Sequence, residues 1–315
     1  TKADSGSVYV FTRSSSDGTF TQQSKIHAEG DAAVSNEFGR SVSLYGDTAL
    51  IGAKKDDDNS KTDSGSVYVF TRSSSDGTFT QQSKFYASDT TVSDEFGRSV
   101  SLYGDTALIG AKVDDSVISI VYVFTRPNAD GTFTEQDTLN ATDAKTNDNF
   151  GISVSLYGDT ALIGASYDDF DDGNSIKSNS GSVYVFTRSS VDGTFERNEE
   201  QPKLNAGSDA GASDFFGHSV SLYGDTALIG AYLDDDNQKS NSGSVYVFTR
   251  SSVDGTFTQQ SKFYASDATA NDRFGICVSL YGDTALIGAY KDDDNTKTDS
   301  GSVYVFTRSS TDGQF

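Results

Sequence analysis

Apolar and polar residues alternate in short runs along most of this chain. In Ser41–Tyr45, Val42 and Leu44 fall on one side and Ser41, Ser43 and Tyr45 on the other, the pattern of a half-buried strand. Gly46-Asp47 is a two-residue turn signal, and Ala49–Ala53 is the next strand. A longer connection, residues 54–64, leads to Ser66–Arg72, which is β-branched and aromatic on both sides. That composition predicts a strand covered on both faces. Ser75-Asp76-Gly77 marks another turn, and Thr78–Tyr86 alternates and is more polar, as an outer strand should be. We name these four strands A to D. No segment has the apolar period of a helix.

The four-strand unit recurs. Val-Tyr-Val-Phe begins at Val8, Val67, Val121, Val183, Val245 and Val303, so five steps span 295 residues, or 59 per step. Leu-Tyr-Gly-Asp-Thr-Ala-Leu-Ile-Gly-Ala begins at Leu44, Leu102, Leu156, Leu222 and Leu280, each preceded by Phe-Gly at Phe38, Phe96, Phe150, Phe216 and Phe274. A period in this range, rich in β-formers and Gly, predicts an all-β fold, a β-propeller of four-stranded antiparallel blades. Residues 1–315 read as one propeller of about five blades, with repeats starting near 38, 96, 150, 216 and 274. The N-terminal C–D pair, residues 1–28, is expected to complete the last blade, with one C strand spare. The alternative is a part of a seven-bladed ring.

Phe38-Gly39, Ile51-Gly52-Ala53 and Gly65-Ser66-Val67-Tyr68-Val69-Phe70, with their four further copies, resemble the FG-GAP repeat of integrin α subunits and microbial surface proteins. The resemblance implies an extracellular or cell-surface propeller. Two features depart from it. The Gly-Ala pairs are followed by Lys, Ser or Tyr instead of Pro, and the A–B connection is too short for the family's calcium hairpin. Those calcium ligands therefore do not transfer. Phe38 and its equivalents are expected to plug the space between blades. Arg72 and its equivalents at 13, 126, 188, 250 and 308 are expected to pair with turn aspartates.

Charge adds direction. The chain has 315 residues, 46 acidic and 24 basic, for a net charge of −22. Nucleic acid is excluded as a partner on these grounds, since phosphates are bound by Lys and Arg. No apolar run approaches the ~20 residues of a membrane span, so this segment is not expected to insert into a membrane. In a meander the B–C and D–A connections share one end, and 30 of the 46 carboxylates lie in them. The B–C loops hold clusters: Asp56-Asp57-Asp58-Asn59, Asp234-Asp235-Asp236-Asn237 and Asp292-Asp293-Asp294-Asn295. Hard cations take several oxygens from such loops. Asp56, Asp58 and Asp63, Asp234 and Asp236, and Asp292, Asp294 and Asp299 are the candidate Ca²⁺ ligands, against a solvated acidic face that binds nothing. The shorter loop at Asp114-Asp115 is expected to bind no ion.

Catalytic groups are sparse. His27 and His218 occupy unrelated repeat positions and read as surface residues. Cys277 replaces a Ser kept by the other repeats and reads as a small half-buried side chain. No zinc spacing, nucleophile elbow or phosphate loop occurs. The expectation is a non-enzymatic, secreted binding, adhesion or scaffold module. Its acidic face would meet a protein, a polysaccharide matrix or neighbouring copies of itself, a use suited to multivalency. The sequon Asn140-Ala141-Thr142 agrees with secretion. The alternative is a propeller glycosidase or polysaccharide lyase, whose candidate blade is the third, with its insertion at residues 168–180 and paired carboxylates.

Overall fold

The computed structural model describes residues 5–29, 36–57, 61–112, 119–129, 131–197, 201–236, 239–293, 297–309 and 314–315. Among the described residues, every element apart from a 3₁₀ turn at Gly207–Asp209 is a strand. The chain is an all-β propeller of five antiparallel blades built on a four-stranded plan, the last with three described strands, divided into two compact units, Thr1–Thr138 and Leu139–Phe315.

In the first unit one blade runs A to D as Phe38–Tyr45, Thr48–Ala53, Ser66–Arg72 and Phe79–Phe85. The next is Ser99–Tyr103, Thr106–Ala111, Ile120–Thr125 and Thr134–Leu139. The second unit holds Phe150–Tyr157, Thr160–Ala165, Ser182–Arg188 and Phe195–Arg197, then Phe216–Tyr223, Thr226–Ala231, Ser244–Arg250 and Phe257–Phe263. The last sheet contains Phe274–Tyr281, Thr284–Ala289 and Ser302–Thr307. Its C position is thus filled by the chain's own final strand. The spare C strand is Val8–Arg13, which pairs with Phe20–Ile26 alone.

Each feature follows from the repeated residues. Ser66–Phe70 is buried throughout, because both faces of strand C meet apolar neighbours. Phe96 is fully buried, with its ring 5.5 Å from Tyr122 and 5.8 Å from Phe124. It shares a cluster with Leu50, Val67 and Val69 of the preceding blade, and so plugs the junction as expected. There the chain also forms a parallel bridge between Gly65 and Phe96. Gly65 has φ of 82°, and a Cβ on it would lie 2.1 Å from the Phe96 carbonyl oxygen, so only glycine fits.

Blades are further keyed by serines. Ser41 Oγ donates to the Gly97 carbonyl at 2.7 Å, and the Leu102 amide donates to Ser43 Oγ at 2.9 Å. Ser153 with Gly217, and Ser219 with Gly275, repeat the first bond in the second unit at 2.8 Å each. Cys277 stands at this serine position in the last blade and is exposed, not half-buried. At the other end of the blades the expected pairing with turn aspartates is present at Arg72, Arg126, Arg250 and Arg308. Arg126 lies 2.8 Å from Asp105, Arg250 2.8 Å from Asp225 and Arg72 3.7 Å from Asp47.

Candidate functional site

The aspartate clusters are divided between inward and outward tasks. Asp56 is buried. Its carboxylate accepts from Ser66 Oγ at 2.5 Å, Tyr68 Oη at 3.1 Å and Lys84 Nζ at 2.9 Å. Asp234 repeats this with Tyr246 Oη at 3.2 Å and Lys262 at 2.7 Å, and Asp168 with Ser182 and Lys203, both at 2.6 Å. Asp292 is buried as well. The second aspartate of each cluster closes the loop: Asp57 accepts the Asp63 amide at 2.9 Å, Asp235 the Asn241 amide at 2.7 Å and Asp293 the Asp299 amide at 2.7 Å. Asp63 and Asp299 have φ of 53° and 52° at these loop ends. Asp236 lies 3.7 Å from Lys262. Asp58 and Asp294 lie outside the described residues. Among the described residues, no group of three or more His, Cys, Asp or Glu could hold a metal ion.

In the third blade, the insertion at residues 168–180 folds as a small hairpin, Phe170–Asp171 against Ile176–Lys177. Asp171 and Asp172 accept amides of its turn, from Gly173, Asn174 and Ser175. Both carboxylates thus shape the turn of their own hairpin.

The repeats differ most beside Phe-Gly and Gly-Ala, all at the B–C end of the blades. The residue before Phe-Gly is Glu37, Glu95, Asn149, Phe215 and Arg273 in turn. The residue after it is Arg40, Arg98, Ile152, His218 and Ile276. The residue after Gly-Ala is Lys54, Lys112, Ser166, Tyr232 and Tyr290. In the second unit Phe215, His218, Tyr232, Arg273 and Tyr290, with Tyr167, form one arc. The Tyr167 and Phe215 rings are 4.8 Å apart, Phe215 and Tyr232 stack at 5.6 Å, and His218 lies 4.5 Å from Tyr232. The guanidinium of Arg273 sits 5.9 Å from the Tyr232 ring and 5.3 Å from the Tyr290 ring, and it donates to the Tyr290 hydroxyl.

The chemistry of the arc follows from its parts. Stacked rings offer flat apolar faces to a cyclic ligand. Burial raises the pKa of the Tyr232 phenol, with Tyr167 and Tyr290 adding to the effect and Arg273 opposing it, so its hydroxyl stays protonated and can donate. His218 is half-buried between the Phe-Gly turn and Tyr232, and imidazole is suited to proton transfer near neutral pH. His27, by contrast, is exposed. Reading His218 as a surface residue missed the site. The available signal was the variation of these positions in otherwise near-identical repeats.

A family model for the FG-GAP repeat matches residues 20–70, 79–124, 133–186, 199–248 and 257–306. No curated protein sequence matches the chain. Among solved structures, a periplasmic gluconolactonase from Pseudomonas aeruginosa superposes with a TM-score of 0.61 at 14% identity, over 97% of this chain and 76% of that one. A putative 6-phosphogluconolactonase from Bacteroides fragilis gives 0.59 at 13%, over 99% and 76%. At these identities the likeness establishes the fold. It also corrects the expectation of a non-enzymatic adhesion or scaffold module. That expectation rested on repeat uniformity, yet propellers of this shape include proteins named as lactonases, and the arc around His218 is asymmetric.

Proposed function

We propose that this chain, which belongs to the FG-GAP repeat family, is a hydrolase that opens a small cyclic ester of the sugar-lactone type. The observation that carries the proposal is the His218–Tyr232 pair, 4.5 Å apart within an arc of aromatic rings. The fold it shares with proteins named as gluconolactonases supports the choice of substrate.

In this reading the lactone ring lies over Phe215 and Tyr232. His218 takes a proton from water as the oxygen attacks the ester carbonyl carbon. Negative charge gathers on the carbonyl oxygen, where the Tyr232 hydroxyl donates to it. The carbonyl then re-forms, the ring C–O bond breaks, and the proton held by His218 passes to the leaving alkoxide. The product is the open hydroxy acid. One of the structural neighbours is a periplasmic protein, which supports an exported enzyme. Among the described residues, no helix is long and apolar enough to cross a membrane.

Gluconolactone hydrolysis, followed as acid release above the spontaneous rate, tests the proposal. His218→Ala should lower kcat/KM by about 10²–10⁴-fold. An unchanged rate in that variant, or no hydrolysis by the native chain, would overturn it.

A further inference from the structure

We infer that the last blade carries a receptor for an anionic group of the substrate, a carboxylate or a phosphate, formed by Arg273 and Lys291. The inference rests on the lactonase reading and specifies its substrate class.

The first blade supplies an internal comparison. There the residue before Phe-Gly is Glu37, which lies 3.8 Å from Lys54 Nζ and 3.4 Å from Lys55 Nζ. Backbone pairing brings these positions together, since the Lys55 amide donates to the Asn36 carbonyl at 3.3 Å. The same bond recurs in the last blade, from the Lys291 amide to the Asp272 carbonyl at 3.4 Å. But Glu37 is replaced by Arg273 and Lys54 by Tyr290, while the lysine persists as Lys291. A salt bridge has been exchanged for two like charges.

Among the described residues, neither Arg273 nor Lys291 forms an ion pair. This is notable in a chain with 46 acidic residues for 24 basic ones, where Lys54, Lys84, Lys203 and Lys262 are all paired. The Nε of Arg273 is buried and has no hydrogen-bond partner. Tyr232 and Tyr290 flank its guanidinium at 5.9 and 5.3 Å, which stabilises the cation and fixes the plane of its donors. Nη1 is engaged by the Tyr290 hydroxyl, and the planar group, held by the two rings, is suited to the paired oxygens of a carboxylate or phosphate. Lys291 follows Tyr290, and its backbone amide is bonded to Asp272, the residue before Arg273, so a second positive side chain starts from the same turn. The same Tyr232 ring that flanks Arg273 also meets His218, so an anion held at Arg273 would leave the sugar-acid ring over Tyr232 and its ester toward His218.

Calorimetric titration of the whole chain with inorganic phosphate and with gluconate, at constant ionic strength, tests the receptor. The native chain should bind at least one, and the stronger of the two identifies the group preferred. Arg273→Gln should weaken that binding at least tenfold, and Lys291→Gln severalfold. The ratio of KM for a phosphorylated or carboxylated lactone to KM for a neutral one should rise at least tenfold in Arg273→Gln. Arg72→Gln, at the other end of the blades, should change neither quantity. Circular dichroism confirms that each variant is folded, and Arg273→Lys, which keeps the charge, should retain part of the affinity. No binding by the native chain, or equal binding by Arg273→Gln, overturns the inference. His218→Ala separates the two proposals: it should abolish turnover and keep anion binding. Binding that depends on Arg273 without hydrolysis of any lactone would sustain the receptor and sink the lactonase reading.

Discussion

The ammonium of Lys84, in the outer strand of its blade, lies 2.9 Å from a carboxylate oxygen of Asp56, which follows strand B and is almost fully enclosed. The pair spans the blade, and Tyr68 and Ser66 of strand C complete it. Removing one member leaves a buried charge without its counterpart, the costly way to lose an ion pair. Asp56→Ala should therefore destabilise the chain by about 3 kcal/mol, read as a shift of the urea midpoint at unchanged slope. Asp57→Ala, which loses only an exposed loop bond to the Asp63 amide, should cost about 1 kcal/mol.

Asp214 provides a pH dependence. Burial pushes its pKa up to about 7, the charge of Asp234 pushes the same way, and the Gly211 amide and Lys262 oppose. Since the unfolded value is near 3.9, the folded state holds the extra proton between the two. Its contribution to stability is then complete below about pH 4 and is lost as pH rises through about 7. Asp214→Asn keeps an acceptor for Gly211 but cannot titrate. Melting temperatures from pH 5 to pH 8 should fall less steeply in the variant than in the native chain. Parallel curves would contradict this.

The phenol of Tyr232 has a raised pKa and no hydrogen-bond partner among the described residues. Tyr232→Phe keeps the ring and removes the donor. On the proposed mechanism it should lower kcat by about 10²-fold and leave KM within about twofold. A change confined to KM would instead place Tyr232 in substrate holding alone.

Two glycines should respond differently to alanine. A Cβ on Gly52 would lie 2.0 Å from the Gly97 carbonyl oxygen of the next blade, whereas one on Gly46 meets nothing within 4 Å. Gly52→Ala must force blades apart and should cost about 3 kcal/mol. Gly46→Ala carries only the strain of a positive φ, about 1 kcal/mol. Thermal unfolding of both variants checks the difference.

The blades were legible because their causes are local and repeated. Alternation sets the faces, Gly46-Asp47 sets the hairpin, and Phe38-Gly39 recurs at each junction. The candidate site was not, because its residues are dispersed by repeat spacing and become neighbours only once blades stack. Phe215 and Tyr232 are 17 positions apart in sequence and Tyr167 lies 48 before Phe215, so no linear motif marks them. The Asp clusters show the same limit. Asp56 and Asp57 look alike in a string of acids, but one points to Lys84 and the other caps its own loop.

Gly52 and Gly97 lie so close that no side chain can enter between them, and Gly164 with Gly217, and Gly230 with Gly275, repeat the arrangement. The residues beside Phe-Gly and after Gly-Ala are subject to no such limit. One scaffold position can hold Glu37 in one blade, Phe215 in another and Arg273 in a third without disturbing the contact beneath it. Each blade therefore offers the same backbone socket, and a new specificity needs only a few exchanged plugs in one of them.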